Sequence, residues 1–239
     1  MTPYAPPLTD MRFTLNDVIG LENLTRQPGF EAVEASLSDQ ILEEAGKFSS
    51  NVLAPLNFEG DRSGAKIENG VVRPASGFGE AYNQWADAGW NSVPFDQTYG
   101  GQGLPWTLTT AIWEMWESSN MAFSLCPLLT QAAIDALERH GSEEQKSTYL
   151  EKLVSGEWTG TMNLTEPQSG TDLGAIRTSS VRDGDRYRIK GQKIYITWGD
   201  HDMTDNIVHL VLARSPDGPP GTRGLSLFIV PEFLVNPDG

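Results

Sequence analysis

Met162-Asn163-Leu164-Thr165-Glu166-Pro167-Gln168-Ser169-Gly170-Thr171-Asp172, MNLTEPQSGTD, gathers hydroxyls, carboxylates and two conformation-setting residues on one short stretch. Thr165, Ser169 and Thr171 bring hydroxyls that both donate and accept, and the backbone amides add directional donors. Pro167 fixes its own φ and biases Glu166 toward extended backbone, so the chain enters the turn as a strand. Gly170 permits close approaches that a β-carbon would block. Such a segment suits a ligand with a hydrogen-bonding ring edge and a phosphate-bearing tail. The same composition also describes an ordinary turn, because Ser, Thr, Pro, Gly and Asp populate turns for conformational reasons alone.

The pattern differs on the two sides of this stretch. Upstream, Phe30, Val33, Leu37, Ile41, Ala45, Phe48 and Val52 recur at helical spacing, predicting a helix that ends before Pro55. Residues 56–79 are rich in Gly, Asn, Asp and Ser and read as a surface connection with short turns. A short helix over Glu80 to Ala88 follows, with Trp85 packed. Leu108, Ile112, Met115 and Trp116 mark another helix, and Leu128 to Arg139 a further one stopped near Gly141. Ser142 and Gln145 have the capping-box spacing, opening a helix that closes at Gly156. These stripes read as core rather than as cofactor contacts.

Downstream, Val181, Tyr187, Ile189, Ile194 and Ile196 lie in short alternating segments separated by Asp183-Gly184 and by Gly191, as in hairpins. Ile207 to Ala213 and Leu225 to Val230 are apolar strands joined by the Pro- and Gly-rich loop Ser215 to Gly224. Pattern alone therefore predicts a helical domain followed by a β domain.

Seventeen basic against 32 acidic residues give a net charge of -15, which disfavours nucleic acid and anionic membrane surfaces. No apolar run is long enough to span a bilayer and no basic leader precedes an apolar stretch, so a cytoplasmic location is expected. The single cysteine, Cys126, sits in an apolar run and reads as a small core residue. His140, His201 and His209 are too scattered for a metal cluster, and His201-Asp202 reads as a solvated or structural pair. Asp183-Gly184-Asp185 reads as a hairpin turn, since a calcium loop would need a later carboxylate.

Four segments in order carry a family resemblance. TEPQSGTD resembles the TEP-x-x-G-S-D signature of the acyl-CoA dehydrogenase family of FAD enzymes. Tyr99-Gly100-Gly101 with Leu104-Pro105 is similar to its YGG-x-GL segment, and Gln145-Lys146 with Tyr149-Leu150 to its QK-x-x-YL helix. Gly184-Asp185-Arg186-Tyr187, Gly191-Gln192-Lys193 and Tyr195-Ile196-Thr197 resemble GD-x-Y, NG-x-K and W-I-T. The opening Tyr4 to Arg12 and the run Trp198 to Arg214 look like the longer bacterial subgroup that includes 3-methylmercaptopropionyl-CoA dehydrogenase.

The resemblance implies an α+β fold. An all-α helical domain over residues 1–158, with 1–28 as an extended N-terminal segment, precedes an antiparallel β-barrel-like domain over 159–239, and the family's C-terminal helical-bundle domain is absent. It implies FAD as cofactor, with Leu164 and Thr165 at the flavin pyrimidine edge and Met162 nearby. Thr171 stands for the family's Ser, facing the cofactor phosphates and the bound acyl-CoA substrate. Tyr195, Ile196 and Thr197 lie beside the isoalloxazine, with Thr197 near flavin N5; Tyr195 replaces a Trp, and Trp198 occupies the usual Asn position. The reaction implied is α,β-dehydrogenation of an acyl-CoA thioester, with electron-transfer flavoprotein as electron acceptor and a homo-oligomer when full length. The family's Glu base would lie beyond Gly239, so no catalytic residue is expected here, Glu166 is expected to be structural, and the chain is expected to be an inactive N-terminal fragment. An acyl-CoA oxidase and a non-enzymatic binding relative of the same fold remain open alternatives.

Overall fold

The structure, a computed structural model, describes residues 3–30, 33 and 35–236; the outermost residues of both expected domains, 1–2 and 237–239, lie outside them. The segment expected to be extended at the N-terminus is instead helical. It runs through α1 (Leu8–Phe13), a wide turn over Thr14–Ile19 and a tight one over Leu21–Arg26, reversing at Gly20 with φ of 73°. Met11, Leu15 and Leu21 draw it onto the core, a tertiary gain that a propensity reading does not register.

Helix α2 (Ala35–Phe48) does not stop before Pro55. A π-turn over Ser49–Leu53 leads into α3 (Ala54–Ser63), which carries Pro55 in its first turn. Residues 56–63, expected as a connection, are therefore helical. The buried stripe runs through Leu42, Ala45, Ser49 and Leu53, whereas Leu37 is exposed. A two-stranded hairpin, β1 (Lys66–Glu68) and β2 (Val71–Arg73), interrupts the expected all-α region before α4 (Phe78–Asp87).

The two helices expected over 108–139 form one bent unit, α5 (Trp106–His140). Its break is at Asn120, whose φ and ψ of -157° and 85° leave the helical region. The fully buried Asn120 amide donates to the Leu53 carbonyl at 3.1 Å, and its oxygen accepts from the Phe123 amide at 3.1 Å. The bend is thus a built cap inside the core. Trp116 lies at the centre of the helical layer, with Trp85, Trp90 and Trp113 meeting it edge-on at 5.7, 5.6 and 5.2 Å. Leu108, Ile112, Met115 and Trp116, the stripe read from the sequence, are buried as expected. So is Cys126, whose thiol burial pushes away from ionisation. Helix α6 (Glu143–Ser155) opens on the predicted capping box, with both Ser142–Gln145 bonds formed, and closes on Gly156 at φ 84°.

The second half is built on strands β3 (Thr159–Asn163), β4 (Ser179–Asp183), β5 (Arg186–Lys190), β6 (Ile207–Arg214) and β7 (Leu225–Pro231). The sheet is mixed rather than purely antiparallel. β6 pairs in parallel with β3 and β4 and antiparallel with β7, while β4 and β5 form the hairpin predicted at Asp183-Gly184. Residues 191–200, expected to contribute strand at Ile194 and Ile196, form a loop. Sheet and helices meet where β3 lies on α5. The Thr130 hydroxyl donates to the Cys126 carbonyl at 3.1 Å and accepts from the Gly160 amide at 3.0 Å, and a β-carbon on Gly160 would stand 2.6 Å from that of Ala133. Only glycine permits that approach.

Candidate functional site

The signature stretch leaves the end of β3 and folds back on itself within four residues. The Glu166 amide donates to the Ser169 carbonyl at 2.9 Å and the Ser169 amide returns a bond to Glu166 at 3.0 Å, with Pro167 and Gln168 between them. Pro167 presets the turn. Beyond it the Ser169 hydroxyl donates to the Asp172 carbonyl at 2.6 Å, which fixes how Gly170 and Thr171 project.

Glu166 is the keystone of this loop. Its side chain is 3% exposed and accepts from the backbone amides of Arg177 and Thr178 at 2.7 and 3.0 Å, from Gln168, and from the Lys193 ammonium at 2.9 Å. Burial alone would raise its pKa; the donors around it reverse that and hold it at about 2. A carboxylate so fully engaged has no spare lone pair for proton abstraction, which agrees with a structural role. Lys193, 10% exposed, also donates to the Leu164 carbonyl at 2.9 Å, so one ammonium spans both sides of the turn.

Arg214, at the end of β6, plays the matching part for the next loop. Its guanidinium donates to the carbonyls of Gly174, Ile176 and Gly221, the latter two at 2.8 and 2.9 Å. Neither contact is local in sequence. The NG-x-K-like run marked Lys193 as part of a motif but not as the partner of Glu166, and no sequence signal marked Arg214.

The structure brings several of the expected site residues together. Met162 pairs opposite Leu210 in the sheet, and Leu164 and Thr165 lie just past the end of the strand, all three half-buried. The Ile194 amide donates to the Thr165 carbonyl at 2.9 Å, which lays the loop carrying Tyr195, Ile196 and Thr197 alongside the signature. Tyr195 is 90% exposed, Ile196 half-buried and Thr197 exposed. Tyr195 and Trp198 both have left-handed backbone, with φ of 56° and 51°, a conformation non-glycine residues seldom hold outside functional or turn positions. Thr171 is exposed on the far limb of the turn, and no hydrogen bond among the described residues joins it to 195–197. The hydroxyls of Thr165, Thr171 and Thr197 make no hydrogen bond among the described residues either. Unpaired hydroxyls on the signature at Thr165 and Thr171, and on the loop bonded to it at Thr197, together with the exposed Tyr195 ring, are groups of the chemistry that a planar cofactor with a polar edge engages.

Trp198 and His201 tie this loop to the rest of the molecule. The Trp198 indole donates to the Ala122 carbonyl at 2.9 Å and stacks on Phe78 at 6.1 Å. His201, 5% exposed, accepts from the Met203 amide at Nδ1, which leaves Nε2–H to donate to the Thr159 hydroxyl at 3.1 Å. Burial, then the neighbouring His209, lower its pKa to about 4, so it stays neutral. His201 and Asp202 do not pair with each other; Asp202 pairs with Arg73 of the hairpin.

Residues 38–157 match the profile of the acyl-CoA dehydrogenase N-terminal domain, and residues 161–237 that of its middle domain. The chain belongs to the acyl-CoA dehydrogenase family. It is 47% identical to 3-methylmercaptopropionyl-CoA dehydrogenase of Ruegeria pomeroyi over 99% of its own length and 40% of that protein. A butyryl-CoA dehydrogenase of Syntrophomonas wolfei is 40% identical with the same coverage, 99% and 40%. Among solved structures, the acyl-CoA dehydrogenase of Geobacillus kaustophilus aligns with a TM-score of 0.69 at 26% identity, covering 84% of this chain and 49% of that one. The chain thus spans about 40% of the length of the curated acyl-CoA dehydrogenases it matches. No described helix is long and apolar enough to cross a membrane. One cleft of about 620 Å³ lies between α2 and the 88–102 loop, lined by Leu37, Ile41, Phe48 and Trp90 among others; no signature residue borders it.

Proposed function

We propose that the protein dehydrogenates an acyl-CoA thioester between its α- and β-carbons with FAD as cofactor, and that residues 159–239 supply one wall of the flavin site. The observation that supports this reading is the backbone bond from Ile194 to Thr165, which joins the loop of Tyr195, Ile196 and Thr197 to the signature stretch, with the Tyr195 ring exposed. Leu164 and Thr165 would hold the polar edge of the isoalloxazine, with Met162 nearby, and Tyr195 to Thr197 would border the ring. Thr171 would meet the cofactor phosphates and the thioester chain. Bound there, the flavin supplies a two-electron acceptor. The chain's own residues orient it, and Ile196 and the half-buried Met162 exclude water from one side.

Family membership supports the acyl-CoA substrate class, a helical domain over 1–158, electron-transfer flavoprotein as the onward acceptor and a homo-oligomeric state. Glu166 is not the base that removes the α-proton, because its charge is locked among four donors; we assign that step to a carboxylate outside the signature. Anaerobic addition of acyl-CoA to the flavin-loaded full-length protein should bleach the oxidised flavin bands. An unchanged spectrum with straight, branched and thioether acyl groups would refute the reading, and stoichiometric peroxide would favour an oxidase.

A further inference from the structure

We propose that Trp198 is a positioning residue that holds the strained loop Tyr195–Thr197 in its flavin-facing shape, an assignment that rests on the flavin reading above. Gly199 donates to the Ile196 carbonyl at 3.1 Å, closing a four-residue turn in which Trp198 is the third residue. Its φ of 51° is the left-handed value that this turn position requires and that Gly or Asn ordinarily supplies. A large aromatic residue is an unfavourable choice there on local grounds. Tyr195 adds a second left-handed aromatic three residues earlier, and the one other left-handed non-glycine among the described residues is Asn69, in a hairpin turn.

The contacts of the indole explain what holds the loop. Its Nε1–H donates to the Ala122 carbonyl at 2.9 Å, two residues past the Asn120 break. Its ring lies on Phe78 at 6.1 Å and 26°, and Phe78 in turn meets Phe123 edge-on at 5.8 Å. His201 abuts the same ring at 5.6 Å. At the other end, Ile194 and Lys193 are bonded to Thr165, Leu164 and Glu166. Tyr195 to Thr197 are therefore a short span between two anchors, one on the signature and one on the helical layer. Without the indole anchor the left-handed turn is held by the Gly199–Ile196 bond alone, and its relaxation would re-aim Thr197 and Tyr195 though neither is altered. Trp198 itself points away from them into the helices, so it acts through the loop and not on the ligand.

The test uses the full-length protein with Trp198→Phe and Trp198→Ala, measuring flavin dissociation, the circular dichroism of bound flavin, and the kcat-against-KM split. Trp198→Phe keeps a ring on Phe78 and loses only the N–H bond. The Ala variant should release flavin about tenfold more readily and change the flavin dichroism, with kcat falling at unchanged KM. The Phe variant should lie between it and the parent, and it decides the matter if the Ala variant does not fold. Parent-like flavin affinity and dichroism in the Phe variant, with only a lower melting temperature, would show that Trp198 is packing alone and overturn the assignment. A parent protein that takes up no flavin would overturn the functional reading, and this assignment with it.

Discussion

Replacing Glu166 by Gln should uncouple the signature loop from acid. The carboxylate is almost fully buried, paired with Lys193 at 2.9 Å and bonded by the Arg177 and Thr178 amides. Its pKa falls from the ordinary 4.5 to about 2 in the folded protein. Each unit of such a shift is worth about 1.4 kcal/mol, so the ionised form contributes on the order of 3 kcal/mol. The sign follows from the depression: this stabilisation is fully present above the unfolded pKa near 4.5 and is lost as pH falls toward 2. Glu166→Gln keeps the shape but strands the Lys193 ammonium against the Leu164 carbonyl, and unpairing one member of a buried ion pair costs about 3–5 kcal/mol. Amide exchange at Arg177 and Thr178, with urea unfolding followed in parallel from pH 7 to pH 2.5, reads both effects. The variant should be less stable at neutral pH by a few kcal/mol and should show a flatter acid limb than the parent below pH 4.5. Adding Lys193→Met should recover part of the loss, because the stranded charge goes with it. A single variant with parental stability at pH 7, or with the parent's full acid sensitivity, would refute the keystone role.

Three further outcomes follow from the same geometry. Gly160→Ala sets a methyl group 2.6 Å from that of Ala133 and should lower the melting temperature through an overpacking cost of about 1–3 kcal/mol; an unchanged melt would show that β3 can lift from α5. Trp113→Phe removes the indole bond to the Gln131 side chain at 2.7 Å and leaves that buried oxygen unpaired, so a loss of about 1–3 kcal/mol is expected in urea unfolding. His201 is held neutral with a pKa of about 4 against an ordinary 6.5, so its contribution is complete above 6.5 and declines as pH falls toward 4. Its imidazole resonances should titrate near pH 4 by NMR, and titration near 6.5 would place it in solvent instead.

Much of the chain was legible because its signals are local. The Ser142–Gln145 capping box, the Gly156 closure and the Asp183-Gly184 hairpin turn each depend on residues within four positions, and all three form as read. The helical stripe over Leu108 to Trp116 is buried as its spacing implied. Pro55 misled because a proline reads equally well as a stop for the helix before it and as the first turn of the helix after it. The π-turn that joins α2 to α3 decides between these, and it has no composition of its own. The N-terminal segment and the 191–200 loop depart from the pattern for a different reason: the first gains its helices by docking Met11 and Leu15, and the second is held by isolated backbone bonds and the Trp198 side chain, not by a ladder.

The candidate site shows where that boundary lies. The turn itself could be read, since Pro167 and Gly170 speak for themselves, but what holds it could not. Lys193 is 27 residues from Glu166, and Arg214 is 40 from Gly174. Trp198 is the sharpest case. By local rules it is the wrong residue for a left-handed turn position, and in the sequence it is merely a departure from the usual Asn. Its fitness exists only in the presence of Phe78 and the Ala122 carbonyl, 120 and 76 positions away. A residue that breaks a local rule while satisfying distant partners fixes the loop more firmly than an Asn that satisfies the rule and touches neither. The strain of the turn, on the order of 1–2 kcal/mol for a left-handed non-glycine residue, is offset by a stack and a hydrogen bond that work only in one geometry.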